Sequence, residues 1–443
     1  MGSVRVVRAL SFPVGTLPPS LLGLLAEFRL IVNKAIRSAI RDDIRSRIGL
    51  QKAAYRQLSD EHLVYKQYIP SAFEVALGTL KAYRRRIRKG KKTNIPYVRQ
   101  LFLKAENQSY RLDRGTGRLQ VPIRRREHVL LDLPLSEWHR SFLSDPSWSL
   151  GSLTITPSRI LVTVRKRGPE PYEPTSALAL DTNEDSLDGV EADGTSSRLV
   201  RVSFGGVRQI QATHFRRSRR LAKKKAQDRR VWQRLLAREG TRERHRVKQR
   251  LHRVSKALVG DARAKMAAII LEDLTLSRAS GRSRRRNRRL SSWPRGEIHR
   301  QIEYKAALVG VPLIKVHPAW TSKTCPACGA RRRDRVGQDF VCEVCDWEMD
   351  RQHNAGLNIL KSALASNEAL ARGVRFHLGA LRRDVVIPLY DLPARVGARE
   401  DPSGAEYVAA VAQYVPPPTH SRNRRRLPYA RVSRKGGTVQ NQS

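Results

Sequence analysis

Residues 325–360 read CPACGARRRDRVGQDFVCEVCDWEMDRQHNAGLNIL, a stretch that holds all four cysteines of the chain and then runs into Asp350 at the head of a helical pattern. The cysteines fall as two CxxC pairs, Cys325/Cys328 and Cys342/Cys345, with thirteen residues between the pairs. Two intervening residues let both sulfurs of a tight knuckle face one point, and two knuckles make the tetrahedral sulfur cage that Zn²⁺ accepts in structural sites. Gly329 relaxes the turn of the first knuckle, and Asp346 and Trp347 flank the second. Paired disulfides are the competing reading, but nothing in the sequence suggests secretion. Four thiolates fill the shell, so the expected zinc is structural, with no open position for a catalytic water.

The rest of the composition narrows the partner. In 443 residues there are 86 Lys and Arg against 40 Asp and Glu, a formal net charge of +46. Such a charge repels itself in a compact fold unless a polyanion neutralises it, which calls for a nucleic-acid partner. An anionic membrane fits less well, because the basic residues are spread along the chain and form no single juxtamembrane cluster. No apolar run reaches the roughly 18 residues of a spanning helix. The opening MGSVRVVRALSFPVG lacks the long apolar core of a signal peptide, so a cytoplasmic protein is expected. A chain of this length is expected to divide into two to four domains.

VRVVRALSF alternates as a strand does, whereas SLLGLLAEFRLIVNKAIRSAIRDDI and SAFEVALGTLKAYRRRIRKGKK carry apolar residues at helical spacing. Residues 98–166 return to short strands, with Gly115 and Gly117 suiting a hairpin, so a small β domain is interrupted by helices. A proline-rich linker follows, then the strand SALALD, strands in DGVEADG and SSRLVRVSF, and two basic helices over HFRRSRRLAKKKAQDRRVWQRLLA and TRERHRVKQRLHRVSKALVGDARAKMA. The helix pair is expected to lie along a nucleic-acid backbone. AAIILEDL is a buried strand. Arg284, Arg285, Arg286, Arg288 and Arg289 sit in a Gly/Ser-rich stretch that reads as a loop able to order on a polyanion. PRGEIHRQIEYKAALVG makes a helix and VPLIKVH a strand; beyond the helix at Asp350, ASNEALARGVRFHLGALR is expected to be helix and RDVVIPLYDL a strand.

Three acids stand where scaffold elements end or begin: Asp181 and Glu272 close apolar strands, and Asp350 opens a helix. Each has a structural reading of its own, as a turn residue, a solvated strand end and an N-cap. Together, their order fits convergence at one edge of an α/β sheet. Two Mg²⁺ ions about 4 Å apart need such carboxylates to hydrolyse a phosphodiester.

These residues resemble the RuvC-like nuclease of TnpB proteins, the transposon-encoded RNA-guided nucleases, and of the related compact type V CRISPR effectors. The resemblance covers roughly residues 176–361 and rests on LALD, IILEDL, IEYKAALVGVPLIKVHPAWTSKTCPACG and DRQHNAGLNIL. It implies an α/β RNase H-like (RuvC) core over residues 177–317 and 346–365, with a zinc ribbon that binds target nucleic acid inserted at 318–345. It also implies a small β-barrel (wedge) domain over 1–15 and 96–167, a helical recognition insertion at 16–95 and a linker at 168–176. A C-terminal extension, 366–443, is expected to be partly disordered. Carried over by position, Asp181, Glu272 and Asp350 hold two catalytic Mg²⁺, and Cys325, Cys328, Cys342 and Cys345 hold Zn²⁺. The implied activity is Mg²⁺-dependent, RNA-guided cutting of double-stranded DNA by a monomer or homodimer carrying a guide RNA. Thr182, Asn183, Glu184 and Asp185 depart from the small hydrophobic residue and Gly that usually follow the first acid, and Asp185 is a rival metal ligand. That departure keeps open an RNA-guided DNA-binding protein that represses transcription with little or no cutting. A structural RNA-binding zinc-ribbon protein is the third reading, and it gives no reason for the three ordered acids.

Overall fold

Alternating and helical patterns sort the chain into two units in the computed structural model, which describes residues 5–223, 228–274, 283, 287–288, 292–331, 337–379, 381 and 385–390. The first unit comprises β1 (Arg5–Pro13), α1 (Pro19–Arg41), α2 (Arg47–Glu61), α3 (Tyr68–Ile87), β2 (Leu103–Ala105), β3 (Arg111–Leu112), β4 (Arg118–Arg124), β5 (Glu127–Asp132), α4 (Glu137–Leu143), β6 (Ser149–Thr156) and β7 (Arg159–Arg167). β1 pairs antiparallel with β7 across the intervening chain, giving a four-stranded sheet in the order β1-β7-β6-β2, and β3-β4-β5 form a second sheet. The hairpin at Gly115 and Gly117 joins β3 to β4, with Gly117 at φ 79°. In α1 the buried Leu21, Leu24, Leu25, Phe28, Ile31, Val32, Ala35 and Ile36 recur at three- and four-residue spacing. They join one core with Leu10 and Phe12 of β1 and Val162 of β7, so helices and strands of this unit share a single apolar interior.

The second unit begins with β8 (Ser176–Thr182), β9 (Ser186–Ala192), β10 (Ser197–Ser203), α5 (Val207–Lys223), α6 (Arg229–Ala264), β11 (Ala267–Glu272), α7 (Arg295–Val309) and β12 (Leu313–Val316). It continues through β13 (Asp339–Val341), β14 (Glu348–Asp350), α8 (Arg351–Ser366), α9 (Glu368–Gly373) and β15 (Val386–Tyr390). Its sheet runs β12-β11-β8-β9-β10-β15, with β8, β11 and β12 parallel, β9 antiparallel to both neighbours, and β15 parallel to β10.

Burial on both faces explains why β8 and β11 read as continuous apolar runs. Leu178, Leu180, Ile269 and Leu271 face Leu251, Val254 and Leu258 of α6 and Ile298 and Ile302 of α7. Ala177, Ala179, Ala268 and Ile270 face Leu357, Ile359, Leu360 and Ala363 of α8. The small residues on that second face let α8 come close. A Cβ on Gly356 would stand 2.4 Å from the Gly189 Cα, and one on Gly189 would stand 1.9 Å from the Ala179 carbonyl oxygen.

Three sequence-based expectations are corrected. The basic helices do not break near Gly240; α6 runs through it for 36 residues, and the break lies between α5 and α6. Nothing lies within 4 Å of a Cβ built on Gly240, so this glycine marks an open helix face and not a turn. Among the described residues beyond α8, only Glu368–Gly373 is helical, because Asn367 leaves helical geometry and caps α9 through its side chain; residues 391–443 lie outside the described residues. Residues 386–390, placed in an extension by the sequence, pair with β10 as the sixth strand of the sheet.

Candidate metal centres

Strand parity decides where the acids point. Asp181 shares the face of Ala177 and Ala179, and Glu272 shares the face of Ala268 and Ile270, so both look toward α8. β8 and β11 are parallel and in register through Leu180 and Leu271, which sets the two acids side by side at the carboxyl ends of their strands. The two carboxyl groups stand close enough to share a proton. Burial, then the charges of Glu272 and Asp188, push the Asp181 carboxyl up to about 8. Burial also raises Glu272. Two carboxyl groups so placed do not both ionise at neutral pH without a cation between or beside them, and hard oxygen donors suit Mg²⁺.

Asp350 reaches the same region from above the sheet. A Cβ on Gly356 would meet Ala179, and one on Gly373 of α9 would meet Pro174 ahead of β8, so α8 runs opposite to β8 with its N-terminus over the strand's carboxyl end. Six residues of helix from Gly356 back to Asp350 span about 9 Å, and two residues of strand from Ala179 to Asp181 span about 7 Å. Asp350 thus stands at nearly the level of Asp181. It caps α8, its Oδ1 accepting from the backbone N–H of Gln352 at 2.9 Å and of His353 at 3.3 Å. Burial raises its carboxyl, but the hydrogen bonds from His353 and from these backbone groups outweigh it and hold Asp350 below the ordinary aspartate value.

The structure brings Asp181 and Glu272 into contact and places Asp350 on the same face, but it does not close all three into one tight cluster. Among the described residues, the four cysteines are the only three or more Cys, His, Asp or Glu whose ligand atoms lie within 4.8 Å of one another. Asp185, the rival ligand, is engaged elsewhere: its Oδ1 accepts from Arg208 N–H at 3.4 Å and its carbonyl from Phe204 N–H at 2.8 Å. Thr182, one of the departures after Asp181, meets His299 Nε2 at 2.7 Å on the opposite face, where burial depresses His299 to about 4.

Four residues the sequence did not single out shape this site. Asp188 stands opposite Asp181 in the β8–β9 register, fully buried, where its Oδ2 accepts from Asn183 at 2.9 Å and from Ser186. Thr321 donates from Oγ1 to Glu272 Oε1 at 2.6 Å. Asn358 of α8 donates to the carbonyls of Thr321 at 2.8 Å and Thr324 at 2.7 Å, and Asn354, one turn earlier, also donates to Thr324. Asparagines four apart on a buried helix face were the available signal, since such amides must find partners. They fasten the segment that leads into the cysteine knuckles onto the helix that carries Asp350.

In that segment Cys325 Sγ lies 3.6 Å from Cys345 Sγ, and Cys328 Sγ lies 3.5 Å from Cys342 Sγ. Tetrahedral Zn–S bonds of about 2.3 Å require sulfurs about 3.8 Å apart, so the four free thiols fit a zinc ion. Burial raises Cys342, but N–H groups of Val344 and Cys345 donate to its sulfur and bring it down to about 7. A Trp347 N–H lowers Cys345, but neighbouring thiols push it up to about 12, and burial raises Cys325, so the four sulfurs share protons that a metal must displace. Trp347 packs against both the knuckle and the sheet core, and β13 and β14 pair beneath it.

The basic surface is partly organised. Arg238, Thr241, Arg242, His245, Arg246 and Gln249 line a shallow groove of about 470 Å³ on α6. Arg288 stacks over Phe215 at 3.8 Å, while Arg284, Arg285, Arg286 and Arg289 lie outside the described residues. No described helix is long and apolar enough to cross a membrane.

The model of the Cas12f1-like TNB domain matches residues 296–359, and that of the uncharacterized MJ0013 family matches residues 24–121. The TnpB-like protein MJ0751 of Methanocaldococcus jannaschii is 26% identical over 247 residues, covering 54% of this chain and 88% of that protein. The CRISPR-associated endodeoxyribonuclease Cas12f1 of Sulfoacidibacillus thermotolerans is 35% identical over 111 residues, 24% of this chain and 25% of that one. Among solved structures, Cas12f1 in complex with sgRNA and target DNA shares the fold at a TM-score of 0.52 and 13% identity, over 76% of this chain and 81% of that chain.

Proposed function

We propose that this chain, a member of the family of TnpB proteins and type V CRISPR effectors, is an RNA-guided DNA endonuclease whose RuvC-like centre is Asp181, Glu272 and Asp350. The observation that carries this reading is the contact of Asp181 with Glu272 at the carboxyl edge of the sheet, under the helix that Asp350 caps. The order β12-β11-β8-β9-β10 supports an RNase H-like core, since its central strand supplies one acid and the adjoining parallel strand the next.

Two Mg²⁺ ions held by these carboxylates would supply the attacking hydroxide and stabilise the leaving oxygen. The protein's own residues set the geometry. Thr321 fixes one oxygen of Glu272, Asn358 fixes Thr321, and backbone N–H groups at the start of α8 keep Asp350 ionised. Asp188, whose Oδ1 lies 3.5 Å from Arg201 Nε, stands behind Asp181 and helps raise its carboxyl, a shift that bound cations would relieve. The Cys₄ zinc is structural and holds the ribbon that guides the target strand. A guide RNA neutralises much of the +46 charge and reads the target by base pairing, leaving the protein a short flanking motif to read. Residues 1–15 and 96–167 serve as the wedge, and 16–95 as the recognition insertion.

The test is cleavage of a matched duplex by the protein purified with its guide RNA, with and without Mg²⁺. Asp181→Ala should lower cutting by at least about 10³-fold while guide binding persists. Tight target binding with no strand scission by the wild-type complex would instead identify a DNA-binding protein.

A further inference from the structure

We propose that Trp320 is a stacking platform for an unpaired nucleotide of the DNA strand entering the Asp181–Glu272 centre; the assignment to the cut strand rests on the nuclease reading above. The indole is 50% exposed, unusual for so large an apolar ring at the rim of a polar site. Its backbone sits at φ 69°, the left-handed region that a bulky residue adopts at a cost. The conformation is held from both sides. The Trp320 carbonyl accepts from the N–H groups of Lys323 at 2.9 Å and Thr324 at 3.0 Å and from Thr324 Oγ1 at 3.0 Å. On the next residue, Thr321 turns inward to bond Glu272. The strained turn therefore sends one side chain to the acid and its neighbour out to solvent.

What surrounds the ring selects the ligand. The Arg331 guanidinium lies over the ring 5.3 Å from its centre and Lys323 Nζ lies over it at 5.7 Å, so cations already pack on the indole, and a base that stacks there takes their place on the ring while they turn to its phosphates. A planar base joined to phosphates matches both features. A base inside a duplex already has stacking partners on both faces, so the occupant is single-stranded. An acid pair whose Glu272 is buried, at the carboxyl ends of the strands, also admits one strand more readily than two. Every base presents a π face, so the platform tolerates any sequence. It would fix the register of the strand near the scissile phosphate and leave sequence recognition to the guide.

The experiment uses the guide-loaded wild-type protein and W320A, W320F and W320L, each checked for bound zinc. In EDTA, where no cutting occurs, single-stranded DNA carrying 2-aminopurine at successive positions reports stacking by quenching. Quenching at one position in wild type and W320F, lost in W320A and W320L, is expected. With Mg²⁺, W320A should raise the half-saturating strand concentration by about 5- to 100-fold, while W320F stays near wild type. An abasic site at the quenched position should reproduce the loss in wild type and add nothing in W320A. Equal quenching in wild type and W320L, or abasic losses fully additive with W320A at every position, would overturn the proposal. If W320A loses its zinc, the abasic and 2-aminopurine series in wild type and W320F decide. Wild type that quenches but cuts no strand would refute the nuclease reading and leave the stacking site standing.

Discussion

Asp181 and Glu272 were readable from sequence because an apolar run that ends in an acid marks a strand end. Their companions were not, because cross-strand register and side-chain hydrogen bonds leave no periodicity. The sequence offered Asp185 as a rival metal ligand to Asp181; the acid that register sets opposite Asp181 is Asp188, three residues on. The resulting concentration of carboxyl groups has a measurable consequence in the metal-free protein. Burial, Glu272 and Asp188 push Asp181 up to about 8 from its ordinary 3.8. Between those values the folded state retains a proton that the unfolded chain has lost, so folding stability must decline as pH rises. Asp181→Asn cannot ionise and escapes that decline. In EDTA, the melting temperature of the wild type should therefore fall relative to Asp181→Asn between about pH 5 and about pH 8. Saturating Mg²⁺, which favours the ionised pair, should shrink the difference. Parallel melting curves for the two proteins across that range in EDTA would show that the acids do not repel as the structure implies.

Helix α8 is the element on which the site depends, since it carries Asp350 at its start, Asn354 and Asn358 along one side, and Leu357 and Leu360 in the core. Its existence was legible in DRQHNAGLNIL. Its tight seat on the sheet was not, because nothing in the sequence ties Gly356 to Gly189. The contrast with α6 is instructive: the two basic helices expected on either side of residues 238–240 are one helix that runs through Gly240 at an open position, while Gly356 is a close contact. Glycine in a helix interior has opposite meanings according to what lies beside it. Gly240→Ala adds a methyl group to open space and should raise stability by about 0.5–1 kcal/mol through helix propensity. Gly356→Ala drives a methyl group into the Gly189 backbone, which cannot move without shifting β9, and should cost about 1–3 kcal/mol or more. It should also slow cutting, because lifting α8 moves Asp350 and the Asn358 anchor together. Denaturant titration of both variants checks the opposite signs, and a neutral Gly356→Ala would mean that α8 sits farther from the sheet than described.

Across the molecule, the two units are joined by more than a linker. Helix α7 buries Ile298, Ile302 and Ala306 against the second sheet while Ala307 and Leu308 pack on the first core, and Arg8 of β1 lies over the Tyr304 ring at 4.9 Å. The sequence showed α7 as one more amphipathic helix, since apolar residues serving two cores look the same as a wide single stripe. What it did show for the whole chain is the charge. One cluster of ion pairs on α5 and α6 gathers around Glu239, whose carboxylate lies 3.5 Å from Arg217 and 3.6 Å from Arg242, while Asp261 near the end of α6 pairs with Lys265 at 2.8 Å. The three carboxylates of α6, Glu239, Glu243 and Asp261, are far outnumbered by its basic residues, which leaves exposed arginines such as Arg238 and Arg246 to meet a polyanion. Chains of phosphate release condensed counterions when such residues replace them, and the release weakens as salt is added. If the guide RNA engages about six to ten phosphates, its affinity for the protein should fall by about 10³–10⁵-fold between about 50 and about 200 mM monovalent salt. Arg238→Ala combined with Arg246→Ala should flatten the log–log slope by roughly one to two, without altering zinc content. A slope unchanged in the double variant would move the RNA off the α6 groove, and a nearly flat slope in the wild type would contradict a backbone-dominated interface altogether.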